Sequence, residues 1–136
     1  MKKILLLLFI CPIVSYSQFN ETYKEFNFGV ITDMFFDGNG IFPGASYLWG
    51  KTHYYNNNTI LDYQVGFAFP TIVTGKIGFG VGSSNFATII GIRAYPTTGY
   101  IQFGNNQRFN FSAEYLLDSG EIFGEKSIII TYGIRF

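Results

Sequence analysis

The C-terminal segment of the chain, residues 127–136, alternates between two kinds of side chain at every position. One set of alternate positions is apolar and consists of Ile128, Ile130, Tyr132, Ile134 and Phe136. The other set consists of Ser127, Ile129, Thr131, Gly133 and Arg135. A period of two is that of a β-strand, because successive side chains of a strand point to opposite faces. The pattern therefore predicts a strand that separates an apolar environment from a small or polar one.

The rest of the chain repeats this kind of segment, and no stretch has convincing helical periodicity. The clearest example is 59–69, where Leu61, Tyr63, Val65, Phe67 and Phe69 alternate with Asp62, Gln64, Gly66 and Ala68. Clusters of Gly, Asn, Ser and Pro separate the segments, as expected for strands joined by turns. The predicted strands are 26–36, 42–55, 59–69, 73–82, 86–95, 99–104, 108–117 and 127–136. The sequence therefore predicts an all-β meander.

The N-terminal segment has the pattern of a secretory signal peptide. Lys2 and Lys3 precede an apolar run over 4–14, and small residues at Ser15 and Ser17 then offer a cleavage site before Gln18. The apolar run is too short for a membrane-spanning helix, which needs about 20 residues. We expect residues 1–17 to be a cleaved signal peptide and residues 18–136 to form one barrel domain. The only cysteine, Cys11, lies inside this signal, so the processed chain has neither a disulfide nor a thiolate metal site.

The balance of charged and aromatic residues is unusual for a soluble domain. Aromatic residues make up 20% of the chain and charged residues only 13%, whereas soluble domains average about 25% charged residues. Removal of Lys2 and Lys3 leaves seven basic residues against nine acidic ones, a net charge of about −2. This charge gives no electrostatic case for binding nucleic acid. An exterior that faces lipid would explain the shortage of charge.

A terminal aromatic residue preceded by apolar residues at every second position resembles the C-terminal assembly signal of bacterial outer-membrane β-barrels. The residues that carry this resemblance are Ile130, Tyr132, Ile134 and Phe136. With the signal peptide, they make the chain similar to small eight-stranded outer-membrane barrels, of a Bacteroidota-like kind because the signal ends in Ser-Gln. The resemblance implies an eight-stranded antiparallel up-and-down transmembrane β-barrel in the outer membrane of a Gram-negative bacterium. It also implies export through the general secretory pathway, with outer-membrane lipid and the barrel-assembly machinery as partners.

The polar face of the predicted strands carries charged residues, which the barrel would enclose. The expected inward set includes Asp62, Lys76, Arg93, Glu114 and Arg135, with Gln64 and Gln102. The interior of an eight-stranded barrel is just wide enough to be filled by side chains, and buried charges there must be paired. We therefore predict that the five charged residues form one network that plugs the lumen. We also expect the glycines at 78, 80 and 82 either to leave room for long neighbours such as Arg93 or to relax the curvature of the strand.

His53 is the only histidine and the one candidate for a catalytic base. A lipid-modifying barrel would need such a base beside a nucleophile. However, the neighbouring Tyr54 and Tyr55 suggest an aromatic girdle at a membrane interface, and a single histidine argues against a histidine metal site. The glycine-rich segment 78–82 lacks the lysine and the following helix of a phosphate-binding loop. We predict no enzyme activity, no cofactor and no metal.

The resulting hypothesis is a structural or interaction role in the cell envelope, with a plugged polar lumen and no turnover. One alternative is a barrel that modifies or transports lipid. Another is a soluble periplasmic barrel of the lipocalin type that binds an apolar ligand. The face on which the apolar side chains lie distinguishes the membrane barrels from the soluble one.

Overall fold

The computed structural model describes residues 19–32, 41–69, 71–105, 107–117 and 127–136. These residues form eight strands: β1 (Phe19–Thr32), β2 (Ile41–Tyr54), β3 (Thr59–Phe69), β4 (Ile72–Gly82), β5 (Ala87–Arg93), β6 (Thr98–Asn105), β7 (Phe109–Leu116) and β8 (Ile128–Arg135). The predicted signal peptide at 1–17 lies outside the described residues, as do the connections 33–40 and 118–126. In the ranges given above, no helix has the length and apolar character needed to cross a membrane.

The strands form a closed antiparallel barrel in which each strand pairs with its neighbours in sequence and β1 pairs with β8. The ladder that closes the barrel includes Phe136, because Lys24 and Phe136 exchange two backbone hydrogen bonds of 2.9 and 3.0 Å. This architecture confirms the prediction of an all-β, eight-stranded antiparallel barrel. The end of the barrel at which β1 begins and β8 ends is called the terminal end. The opposite end is called the loop end.

The observed strand limits agree with the alternation for most of the chain and differ in β1. The pattern over 59–69 matches β3 at both limits, and β6 extends one residue beyond the predicted 99–104 at each end. The first strand was predicted over 26–36, which is wrong, since β1 spans Phe19–Thr32. Residues 19–25 are mostly polar and show no clear apolar face, but each of them pairs with a residue of β2. Pairing with the long strand β2 therefore extends β1 through residues in which the alternation is weak.

The strands are strongly inclined to the barrel axis. Paired positions lead from Gly29 of β1 through each other strand in turn and return to β1 at Phe19, ten residues earlier. Such a stagger accompanies a strand tilt of about 35–45°. Because of this tilt, side chains from strands that are not neighbours come to similar levels inside the lumen.

The two faces of the barrel have opposite character. Large exposed hydrophobic side chains cover the outside on every strand, whereas buried polar and charged side chains outnumber buried hydrophobic ones among the described residues. In a soluble domain the ordinary arrangement is the reverse, with charged residues almost never fully buried. The barrel is thus apolar outside and polar inside.

Candidate functional site

The lumen contains a polar middle layer between two apolar clusters. At the loop end, Ile31, Leu116 and Ile129 pack together. At the terminal end, a second cluster consists of Ile60, Ala87, Ile89 and Tyr100, with Tyr54 packed against it. Tyr54 therefore belongs to the lumen packing, so the aromatic girdle suggested for Tyr54 and Tyr55 is wrong for Tyr54. Apolar side chains occupy the lumen on both sides of the charged layer.

The carboxylate of Glu114 is the centre of one group of charges, here called the Glu114 cluster. Its Oε1 atom accepts from Lys76 Nζ at 2.8 Å and from Arg93 Nη2 at 2.7 Å. Its other oxygen accepts a hydrogen bond from Thr98 Oγ1 at 3.0 Å. The ammonium of Lys76 also lies 5.1 Å from the centre of the Tyr100 ring, within the range of a cation–π contact. One buried carboxylate thus compensates two buried cations.

Arg135 is the centre of a second group, here called the Arg135 cluster. Its Nε atom donates to Glu25 Oε2 at 2.6 Å, and its Nη2 atom lies 3.8 Å from Asp62 Oδ2. The guanidinium carbon lies 3.8 Å from the centre of the Tyr23 ring, so the cation stacks on the aromatic face. Asn110 Nδ2 donates to the same oxygen of Glu25 at 2.9 Å. One buried cation thus bridges two buried carboxylates.

Asp62 is held by neutral donors as well as by Arg135. The Tyr23 hydroxyl lies 2.7 and 2.9 Å from its two oxygens. Thr52 Oγ1 donates at 2.6 Å and Gln64 Nε2 at 3.0 Å. A carboxylate with this many donors is fixed in position, since hydrogen bonds to an ionised group are stronger than those between neutral groups.

The two clusters have opposite charges that balance. The Glu114 cluster contains two cations and one carboxylate, and the Arg135 cluster contains one cation and two carboxylates. The six charged side chains are all buried, so the lumen holds no net charge from these groups. Either cluster alone would leave an uncompensated charge in a dry interior, which is energetically costly. The pairing makes the middle layer a rigid polar filling.

The five charged residues predicted from the sequence all lie buried on the inward face. The structure joins Lys76, Arg93 and Glu114 in one cluster and places Arg135 with Asp62 in the other. The ion pairs given above lie within the two clusters, and the joining of all five residues in one network stays a prediction. Gln64 and Gln102 are also buried in the lumen.

Glu25 is the charged lumen residue that the sequence reasoning missed. The predicted first strand began at residue 26, so Glu25 was outside it. The signal was present in the alternation of Tyr23, Glu25 and Asn27 with Lys24, Phe26 and Phe28. Glu25 and Arg135 are direct register partners across β1 and β8.

Three inward glycines make room for tyrosine rings, and at Gly78 the long neighbour nearest to the added atom is Tyr100 and not Arg93. A Cβ atom at Gly78 would lie 2.5 Å from the Tyr100 hydroxyl, and one at Gly91 would lie 2.8 Å from a carbon of the same ring. A Cβ atom at Gly50 would collide with the ring of Tyr23. Because these glycines have no side chain, the large aromatic side chains of Tyr23 and Tyr100 fit across the narrow lumen.

His53 lies outside both clusters. Its position in β2 has the parity of the outward residues, and it pairs with Asn20 and Leu61 in the neighbouring strands. The imidazole is buried and stacks on Tyr63 with ring centres 5.6 Å apart, and Nε2 lies 3.4 Å from the Tyr63 hydroxyl. The imidazole thus packs on Tyr63, and the lumen carboxylates are on the opposite face of the sheet.

The lumen offers little space for a ligand. A cavity of about 30 Å³ near the loop end is lined by residues that include Asn27, Ser46, Thr71, Arg93 and Thr131. This volume has room for water but not for an organic molecule, since ligand pockets are typically about 300–1,000 Å³. In the described ranges, no group of three or more His, Cys, Asp or Glu side chains could hold a metal ion.

The residues predicted to form the assembly signal lie together on the outside of β8. Ile130, Tyr132, Ile134 and Phe136 are all exposed, and Tyr132 packs against Phe111 of β7 with ring centres 4.9 Å apart. Comparison with known proteins adds nothing to this geometry: no family model, curated protein or solved structure matches the chain.

Proposed function

We propose that this protein is a small outer-membrane β-barrel of a Gram-negative bacterium, with a structural or interaction role in the cell envelope and no turnover. The observation that carries the proposal is the inverted distribution of side chains. Large apolar residues are exposed on all eight strands, while six charged residues are paired inside. An exposed apolar surface on this scale marks contact with a membrane or a partner. A closed barrel is one of the two backbone structures that can span a bilayer.

The alternative of a soluble barrel with an apolar ligand finds less support. Such a barrel would keep its apolar side chains inside and its charges outside. Here the middle of the lumen contains ion pairs, and its cavity of about 30 Å³ is too small for a lipid-like ligand. The exterior would also expose residues such as Val65 and Phe69 to water over a continuous surface.

The filled lumen supports a role without conduction. The Glu114 and Arg135 clusters cross the middle layer, and the apolar clusters lie above and below it. An ion that moved along the axis would have to displace paired charges and packed hydrophobic side chains. The surface is therefore the part of the molecule available for function.

Fractionation with a matched pair of variants tests the proposal. The full chain expressed in a Gram-negative host should sediment with the outer membrane, resist alkaline extraction, and migrate differently on a gel with and without boiling. Phe136→Ala should lower the amount of this heat-modifiable form, because the terminal aromatic is proposed to engage the assembly machinery. Phe111→Ala removes another exposed phenyl ring from the neighbouring strand and should leave assembly unchanged. Recovery of the wild-type chain as a soluble periplasmic protein would contradict the proposal.

A further inference from the structure

The outward positions of the described strands carry only two charged side chains, Lys24 and Lys51. Every other charged residue of these strands has the inward parity. The two lysines lie on neighbouring strands: Lys24 pairs with Trp49, and Lys51 pairs with Thr22. They are therefore diagonal neighbours on one face, with about 7–8 Å between their Cα atoms. The two outward cations of the described strands therefore lie close together on an otherwise apolar surface.

Among the described residues, neither lysine forms an ion pair. Within the described residues, neither lysine has a carboxylate oxygen within 4.0 Å, although all three other cations of the strands do. On the ladders, Lys24 is paired with Trp49 and Phe136, and Lys51 is paired with Thr22 and Tyr63. Like charges on neighbouring strands repel each other, and an anion placed between the two lysines would relieve this repulsion.

A shallow groove of about 550 Å³ lies between them. Its lining comprises Thr22, Tyr23, Lys24, Trp49, Gly50, Lys51, Tyr63 and Phe136. The rings of Trp49, Tyr63 and Phe136 thus line the same groove as the two lysines. The combination of cations and aromatic walls fits an amphipathic anion better than a free ion.

The groove lies at the border of the apolar surface. From the terminal end, the outward residues of β1 are Asn20, Thr22 and Lys24, followed by Phe26, Phe28 and Val30. The order in β2 is equivalent, with Lys51 following Trp49 toward the terminal end. On β1 and β2 the lysines therefore lie where the outward residues change from polar to apolar. In a bilayer this is the level of the lipid headgroups, where long basic side chains place their charges.

We propose that Lys24 and Lys51 form a binding site for the phosphate of an anionic phospholipid, with its acyl chains against Trp49 and Phe136. This inference rests on the proposed membrane location. It adds a specific ligand class, because a zwitterionic headgroup brings its own cation and compensates the lysine pair less well. The occupant is a lipid of the leaflet at the terminal end of the barrel.

Trp49 is the only tryptophan of the chain and lies in the groove, so it reports directly on the occupant. The full-length processed protein is folded into phosphatidylcholine vesicles that contain a minor fraction of lipid with brominated acyl chains, which quench tryptophan fluorescence on contact. The brominated lipid is phosphatidylglycerol in one series and phosphatidylcholine in the other. We expect brominated phosphatidylglycerol to be enriched at Trp49 by roughly fivefold for each lysine, the effect of one basic residue near a charged lipid.

Variants separate a defined site from a general surface charge. Lys24→Gln with Lys51→Gln should remove the preference while the protein still folds, and Lys24→Arg with Lys51→Arg should retain it. Arg108→Gln is the matched control, since Arg108 is an exposed cation at the same end of the barrel but in the turn before β7. Replacing chloride by inorganic phosphate at equal ionic strength should leave the preference unchanged.

Three outcomes would overturn the inference: equal quenching by the two brominated lipids in the wild type, loss of the preference in Arg108→Gln, or reversal by inorganic phosphate. They leave the membrane location intact as long as both brominated lipids quench Trp49. Absence of quenching by either lipid would instead contradict the proposed function itself, because Trp49 would then not face acyl chains.

Discussion

Lys76 and Arg93 lie directly opposite each other in the β4–β5 ladder, and both side chains point into the lumen. Like charges at opposed positions of a sheet destabilise the pair. A single atom, Oε1 of Glu114, forms an ion pair with both cations, at 2.8 Å from Lys76 Nζ and 2.7 Å from Arg93 Nη2. The stability of the folded chain therefore depends more on the Glu114 carboxylate than on either cation.

Replacement of Glu114 and of Lys76 should have unequal effects. Glu114→Gln leaves two buried cations facing each other, and we expect the free energy of unfolding to fall by about 3–5 kcal/mol. Lys76→Met leaves the Arg93–Glu114 pair intact and keeps much of the side-chain volume, so the loss should be below about 1.5 kcal/mol. Denaturant unfolding from lipid vesicles measures both values. Equal losses would show that the carboxylate does not balance both cations.

Arg135 should not be replaceable by lysine. The guanidinium donates to Glu25, approaches Asp62 and stacks on Tyr23 at the same time. An ammonium is compact and lacks the planar fork, so it cannot make these contacts together. We expect Arg135→Lys to lower the free energy of unfolding by about 1.5–3 kcal/mol, the value of a hydrogen bond to a charged group. Retention of wild-type stability would indicate that only the positive charge of Arg135 matters.

The glycines that face the lumen should be less tolerant of a methyl group than those outside. A Cβ atom at Gly78 would lie 2.5 Å from the Tyr100 hydroxyl and 2.9 Å from a backbone oxygen of Ile90. We expect Gly78→Ala to cost about 1–3 kcal/mol through overpacking. At Gly99 the nearest atom outside the flanking residues would be 3.7 Å from the added Cβ atom, on the flexible side chain of Leu117, so Gly99→Ala should be neutral or slightly stabilising. The same unfolding measurement compares them, and similar effects would argue against the packing of Tyr100 described above.

The energetic cost of an arginine on the outside of the barrel should depend on its depth in the bilayer. Val65 lies near the middle of β3 and is 59% exposed, and Val81 lies near the terminal end of β4 and is 63% exposed. In a bilayer, Val65→Arg should cost about 2–4 kcal/mol and Val81→Arg no more than about 1 kcal/mol. In water both substitutions should be nearly neutral, because the two valines are equally exposed. Unfolding from vesicles gives the difference, and the absence of any depth dependence would oppose a membrane-spanning barrel.

The wild-type barrel should not conduct. In planar lipid bilayers we expect no steady current above that of the protein-free membrane, because paired charges and two apolar clusters fill the lumen. Steady open-channel current would contradict the filled lumen.

Much of this architecture follows from local alternation. A side chain's face depends on its own position in a strand, so the inward placement of Asp62, Lys76 and Arg93 could be predicted before any pairing was known. Glu25 was missed for a local reason as well: the polar residues at the start of β1 give a weak apolar face, and the strand there is maintained by β2.

The sequence by itself determined the fold class, the number of strands and the face on which most residues lie, because a period of two is a property of consecutive residues. Only the tertiary structure decided which inward residues meet. The pairing register and the ten-residue stagger separate Glu114 from Arg135 and bring Glu25 beside Arg135. The same register places Lys24 diagonally to Lys51 beside Trp49 on the outside. These relations join distant parts of the chain, and no alternation within one strand contains them.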